Sequence, residues 1–255
     1  MTTTTDLAAA KDRAERLRGL HSGEMLVLPN VWDAGSAKTV AAAGYPALAT
    51  ASAAVSAMLG YPDGEGAPWQ EMFAAAGRVA RAVDVPVTVD AEAGYGLRPR
   101  ELVDRLLETG AVGCNLEDTD HRSGGLADAD AHAEWLAAVR SAAADAGVPI
   151  VLNARVDAFL PGTGVPERDR VAETVRRGRL YREAGADCVY PIGVTSRADL
   201  AALVAELPGP INGNPGEQLP LPVMRDLGVA RVSYGPRFYR TALADLDTAV
   251  RALLP

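Results

Sequence analysis

The chain has 255 residues, 48% of them hydrophobic and 23% charged, and its 33 acidic against 25 basic side chains give a formal net charge of −8. That balance is globular, sized for one large domain or two small ones, and speaks against nucleic acid as a partner. No apolar run reaches the length of a membrane span, the start lacks the apolar core of a secretory signal, and the two cysteines, Cys114 and Cys188, show no metal-type spacing, so a reducing cytoplasm is the expected compartment.

In chain order, MTTTTDLAAAKDRAERL reads as a loose tail over about residues 1–8 running into a first helix. One unit then recurs. An alanine-rich helical segment ends in Gly (Gly44, Gly110, Gly147, Gly185, Gly228), and a short apolar run follows. Each Gly suits the left-handed position just past a helix end. Each run is continuous rather than alternating, the mark of a strand buried on both faces. The expected strands are Met25–Pro29, Ala47–Thr50, Val85–Asp90, Val112–Glu117, Pro149–Ala154, Asp187–Pro191, Pro210–Gly213 and Ala230–Tyr234. The clearest expected helices are Trp69–Val83, Pro99–Thr109, Ala131–Ala146, Pro166–Ala184 and Ser196–Leu207. Pro99, Pro166 and Pro220 fall where a first helical turn tolerates proline. Eight such units without a linker or composition break predict one (β/α)8 barrel of the TIM type over residues 1–255, with a doubly wound open sheet as the rival.

Active sites of such barrels lie at the carboxyl ends of the strands. The third expected strand ends in Asp90, and Glu92 follows two residues on, which on a strand shares its face. The fourth ends in Asn115, Glu117 and Asp118, and the fifth runs into Asn153, Arg155 and Asp157. The segment after the second, TASAAVSAMLGYPDGEG, reads as a long small-residue loop that brings Asp63 and Glu65. Asp63, Asp90, Glu92 and Glu117 thus converge on one mouth, where unpaired acids repel one another. A divalent cation relieves that repulsion, and an oxygen-rich set poor in imidazole and thiolate selects Mg2+ or Mn2+. Arg155 adds a planar fork for a carboxylate or phosphate. A lone strand-end acid is more often a helix cap or surface ion pair; acids on several strand ends with an arginine among them favour a site.

Other features carry less. His21 and His132 suit surface or packing roles, while His121 follows the fourth strand and has a possible place at the mouth. The glycines of Gly94–Gly96 permit a tight turn, Cys114 faces the helix layer, and Asp33 caps a helix starting at Ala34.

The stretches LPNVWDAGSAKTVAAAGY, TASAAVSAMLGYPDGE, PVTVDAEAGYG, GCNLED and LNARVDAFL, spread from about Leu28 to Tyr239, resemble the isocitrate lyase/phosphoenolpyruvate mutase superfamily. The resemblance implies a (β/α)8 barrel that binds Mg2+ and makes or breaks a C–C or P–C bond beside an enolate of a small 2-oxo or 2-hydroxy carboxylate. It implies Asp90 as direct metal ligand, with Asp63, Glu92 and Glu117 holding metal-bound water. Arg155 would face the substrate, with Asn153 beside it, and the Ser52–Ala53–Ala54 backbone would hold the substrate carboxylate. Subunits of the family commonly exchange their last helix, which implies a homodimer or homotetramer. Three departures stand out. Glu92 replaces the more usual Asp. In HRSGG, His121 to Gly125, Ser123 takes the place of the lyases' cysteine. Thr119 takes the place of the mutases' lysine. A serine is a far weaker acid than a cysteine, which favours decarboxylation or hydrolysis over the lyase reaction and leaves His121 as the candidate proton carrier, with Arg155 and Glu117 as the other candidate catalytic residues. A methylisocitrate lyase-like or oxaloacetate decarboxylase/hydrolase-like enzyme is the leading reading. A P–C bond enzyme of the mutase or phosphonopyruvate hydrolase type and a non-catalytic carboxylate-binding barrel are the alternatives.

Overall fold

The structure is a computed structural model that describes residues 4–254. Eight parallel strands form its centre: β1 (Leu26–Leu28 and Asn30–Val31, split by Pro29), β2 (Leu48–Thr50), β3 (Val87–Asp90), β4 (Gly113–Glu117), β5 (Val151–Val156), β6 (Cys188–Pro191), β7 (Asn212–Gly213) and β8 (Arg231–Ser233). Neighbours pair in sequence order from β1 to β6. A bridge from Val189 to Ile211 joins β6 to β7, and β8 pairs with both β7 and β1. The ring therefore closes as a (β/α)8 barrel. Pro29 has no N–H to give, so the two halves of β1 serve opposite neighbours, the first β8 and the second β2.

The helices are α1 (Thr4–Gly19), α2 (Ala34–Ala42), α3 (Ser52–Leu59), α4 (Trp69–Ala80), α5 (Pro99–Thr109), α6 (Ala129–Asp145), α7 (Arg170–Glu183), α8 (Arg197–Glu206), α9 (Leu221–Asp226) and α10 (Arg237–Arg251). None is long and apolar enough to cross a membrane. The five helix-end glycines all take positive φ, Gly110 at +86° among them. Asp33 caps α2 in a reciprocal capping box with Ser36, as its position before Ala34 implied.

Three expectations need correcting. Residues 4–8 of the expected tail belong to α1, while residues 1–3 lie outside the described residues. The segment after β2 is not a bare loop. Its alanine-rich part forms α3, which buries Ala54 and Val55 and ends on Gly60 at φ +88°. Two periods compete in such a small-residue run, and burial decides for the helix. The segment after β4 is a short antiparallel hairpin, Thr119–Asp120 with Gly125–Leu126.

Most of the chain wraps closely, but α10 buries none of its residues, and Phe238, Leu243, Leu246 and Val250 are exposed along it.

At the opposite end of the barrel Asp187 ties three elements together. Its carboxylate accepts from Arg18 of α1 at 2.8 Å, from Arg140 of α6 at 2.5 Å and from the Leu152 amide of β5 at 2.8 Å. Burial alone would raise its pKa, but these donors hold it below the ordinary 3.8. A depressed folded pKa stabilises the fold fully above the ordinary value, and the gain fades as pH falls through the folded one. Asp187→Asn is therefore expected to cost about 2–3 kcal/mol at pH 7, measured by urea denaturation, and the difference from wild type is expected to shrink at pH 3. A gap of equal size at both pH values would refute this account.

Candidate active site

A cavity of about 170 Å³ opens at the carboxyl ends of the strands, lined by Ser52, Asp63, Glu92, Glu117, His121 and Arg155 among others. Each wall reaches it by a different local device. Glu117 is the last residue of β4 and Arg155 lies in β5 beside it in register. The hairpin after β4 folds His121 back over that strand end, and the ring Nε2 sits 2.7 Å from Glu117 Oε1. Arg155 Nη1 lies 2.5 Å from Glu117 Oε2, an ion-pair distance without hydrogen-bond alignment. Glu117 is 3% exposed, and burial raises its pKa against the pull of Arg155 and His121. The bond to Glu117 raises that of His121.

Glu92 arrives by a route that strand periodicity does not describe. β3 stops at Asp90, and Glu92 takes a left-handed conformation at φ +49°. Tyr95, also left-handed at +56°, donates its hydroxyl to Glu92 Oε1 at 2.5 Å, and the Glu65 amide donates to Glu92 Oε2. Glu65 at +58° accepts in turn from the Tyr95 amide at 2.5 Å. Among the described residues these are the only non-glycine positions with positive φ, and all three interlock at the mouth. Strain of this kind persists where surrounding structure over-determines it, often at functional sites. Gly94 is fixed by the same turn. A Cβ there would lie 2.7 Å from the Trp135 ring, at φ +90°.

Asp90 faces α3. Ser52 donates both its amide, at 3.0 Å, and its hydroxyl, at 2.9 Å, to Asp90 Oδ2. The positive end of the helix supports that carboxylate. Asp90 Oδ1 is buried without a partner. Burial, first, and then the Asp90 charge raise the pKa of Asp63.

The structure thus gathers Asp63, Asp90, Glu92, Glu117, His121, Arg155 and Ser52 at one mouth, and distributes the other candidates differently. Asn153 lies one layer down and donates to Asn115 Oδ1 at 2.7 Å. The amides of Ser52 and Ala54 are spent on Asp90 and on the Ala51 carbonyl, and Ala53 follows Ser52 in the same first turn of α3. The planar fork of Arg155 is closed on Asp157, Nε at 2.7 Å and Nη2 at 2.8 Å, which leaves its Nη1 against Glu117. Ser123 donates to Asp120 at 2.7 Å on the outer side of the hairpin. Sequence reading gave His121 a proton role but not a place among the metal-type donors. Its spacing of four from Glu117 was the available signal.

One ligand atom each from Glu92, Glu117 and His121 falls within 4.8 Å of the others, a spacing that suits a single cation. The orphaned Asp90 Oδ1 adds a fourth donor, the third carboxylate oxygen, at the same mouth. Three carboxylates and one imidazole fit Mg2+ or, with the nitrogen, Mn2+.

Residues 17–254 match the family model described as phosphoenolpyruvate phosphomutase. An uncharacterized protein of Mycobacterium tuberculosis is 32% identical over 233 residues, covering 91% of this chain and 86% of that protein. An oxaloacetate decarboxylase of Bradyrhizobium diazoefficiens is 33% identical over 219 residues, covering 82% and 74%. The crystal structure of a protein assigned as a phosphonomutase, from Burkholderia cenocepacia J2315, superposes with a TM-score of 0.87 at 40% identity, over 95% of this chain and 99% of that one. With the closed barrel and the acid-lined mouth, these matches make the chain a member of the phosphoenolpyruvate phosphomutase family, within the isocitrate lyase/phosphoenolpyruvate mutase superfamily of lyases and mutases.

Proposed function

We propose that the protein is a divalent-metal-dependent enzyme that cleaves a C–C bond of a small 2-oxo dicarboxylate, of the oxaloacetate decarboxylase or hydrolase kind. The observation that carries this is the placement of Glu92 and Glu117 at metal-ligand spacing, with the partnerless Asp90 Oδ1 at the same mouth and His121 and Arg155 beside them, in a chamber of about 170 Å³. That volume is well below the roughly 300–1,000 Å³ of pockets for drug-sized ligands, so the substrate is small. Asp90, Asp63, Glu92 and Glu117 would hold Mg2+ or Mn2+. When bound, the cation supplies stabilisation for negative charge developing on the 2-oxo group.

The chain's own residues supply the rest. Arg155, anchored by Asp157, offers its Nη1 edge to a substrate carboxylate. His121 Nε2, held against Glu117, carries a proton at the hairpin tip. The hairpin and Leu160, Pro161 and Thr163 line the chamber from the side. Ser123, occupied by Asp120, takes no part. Cys114 and Cys188 are free and buried, which suits a reducing compartment.

The test is a panel of 2-oxo and 2-hydroxy acids assayed for pyruvate, glyoxylate or oxalate release with and without Mg2+. Turnover that stops with chelator and falls roughly 100-fold or more in Asp90→Asn, together with lost metal-dependent thermal stabilisation, is expected. An Asp90→Asn protein that still gains full stability from the metal, or turnover indifferent to chelator, would sink the assignment. On the substrate found, His121→Ala is expected to lower kcat by roughly 10²–10⁴ and Ser123→Ala by less than about twofold. Full activity in His121→Ala would make solvent water the proton source instead.

The apolar stripe Leu243, Leu246, Val250 on α10 recurs at helical spacing and faces outward. We take a second copy of the chain as its cover, in a homodimer or homotetramer. Light scattering is expected to give a mass two or four times that of the 26.6 kDa chain, and Leu246→Asp to shift it toward the monomer. A wild-type monomer at micromolar concentration would rule this out.

A further inference from the structure

Among the described residues the largest fully buried side chain is an arginine. Arg231, on β8, has no exposed surface. It lies in register with Leu26 of β1 and Asn212 of β7, yet its guanidinium crosses the barrel to β4, on the far side of the ring, where Nη2 donates to Asn115 Oδ1 at 3.2 Å. Its Nε and Nη1 are buried without a partner, and it forms no ion pair among the described residues. An arginine is rarely buried unpaired, because the lost hydration is expensive. An aliphatic residue would fill the same space without that cost, as interior positions of such barrels usually do.

The neighbours of Asn115 give the charge a purpose. Asn115 stands between Asp90 of β3 and Asn153 of β5 in register, and Asn153 donates to the same Oδ1 at 2.7 Å. Two residues farther along the same strands come Glu117 and Arg155. Arg231 therefore ends on the polar layer directly under the acid-lined mouth. Burial, the largest influence, lowers the pKa of Arg231, and Cys188, Tyr190 and then Asp90 act against it. Burial pushes the Cys188 thiol up to about 12 and the Tyr190 phenol up as well, so both stay neutral near pH 7, as does Cys114. Asp90 is the carboxylate among the groups that act on Arg231.

We infer that Arg231 is a positioning residue whose buried cation, pinned to Asn115, offsets the negative potential of Asp63, Asp90, Glu92 and Glu117 from below. It weakens the site's hold on a divalent cation and strengthens its hold on an anionic substrate. The inference rests on the proposed metal-and-carboxylate reading of that mouth.

The two effects have opposite signs, which a merely structural role does not produce. Magnesium binding is measured by calorimetry without substrate, and oxalate, as a dianionic probe, is titrated at saturating Mg2+. Arg231→Met, with circular dichroism and a thermal melt to check folding, is expected to bind Mg2+ roughly tenfold more tightly and oxalate roughly tenfold more weakly. Arg231→Gln keeps a donor for Asn115 without charge and serves if the Met variant does not fold; the same opposed shifts are expected. Arg231→Lys, which restores the charge, is expected within about threefold of wild type on both. Unchanged affinities in the neutral variants, or a loss of both together, would overturn the inference, as would a Lys variant that behaves like the neutral ones. Wild-type protein that binds neither Mg2+ nor Mn2+ overturns the underlying metal reading, and this inference with it.

Discussion

Glu117 is pressed between the guanidinium of Arg155 at 2.5 Å and the imidazole of His121 at 2.7 Å, in a place almost closed to water. Much of the mouth depends on that arrangement. A carboxylate so buried would give up its charge without compensation. Arg155 supplies it from the neighbouring strand and is itself steadied by Asp157, while His121 supplies it from the hairpin. The hairpin's position over the barrel is thus tied to the electrostatics of a strand end. A cation entering among Glu92, Glu117 and His121 would compete with both partners for the same oxygens, so metal occupancy and hairpin placement are coupled by shared ligands.

The opposite wall is set by backbone geometry. Glu65, Glu92 and Tyr95 all occupy left-handed backbone and hold one another there through the Tyr95 hydroxyl, the Tyr95 amide and the Glu65 amide. No one of them would remain strained alone. Two loops, after β2 and after β3, are locked into one surface in this way, and Trp135 of α6 fills the space that Gly94 leaves open. The wall is stiff on the Glu92 side, while on the hairpin side Arg122 and Ser123 are exposed and Gly124 turns the chain at φ +76°. That asymmetry suits a site whose metal-facing half is preorganised and whose other half admits substrate.

The family's substituted positions gain physical content from these contacts. Ser123 is turned outward to Asp120 and does not stand in for a thiol at the mouth. Thr119, where the mutases have lysine, donates to Asp157 at 2.5 Å and so steadies the acid that holds Arg155. The longer arm of Glu92 is accommodated because its turn is left-handed and its two oxygens are met by Tyr95 and Glu65.

Strand and helix order, the glycine-ended helices, the Asp33 cap and the acids at the ends of β3 and β4 were legible because each rests on a local pattern that survives in one dimension: period, propensity and cap chemistry. The convergence of those acids followed from one rule about parallel barrels. What the sequence left hidden were contacts between strands and loops distant in the chain. The fork of Arg155 was free on paper but is spent on Asp157. Asn153 sits at a strand end in the sequence but a layer lower in the barrel, because register, not position along the strand, sets depth. The TASAAVSAML segment has too weak a polar–apolar rhythm to reveal α3, which is helical because packing buries its face. Glu92 is two residues from Asp90, yet a left-handed turn rather than the strand's pleat brings it round. Arg231 reads in the sequence as an ordinary charged residue beside apolar ones, and only closure of the ring, which puts β8 opposite β4, reveals it as a buried cation beneath the mouth. Local chemistry determined which residues could form the site; the depth, direction and pairing of each were decided by the barrel's register and closure, since those fix which side chains meet across the chain.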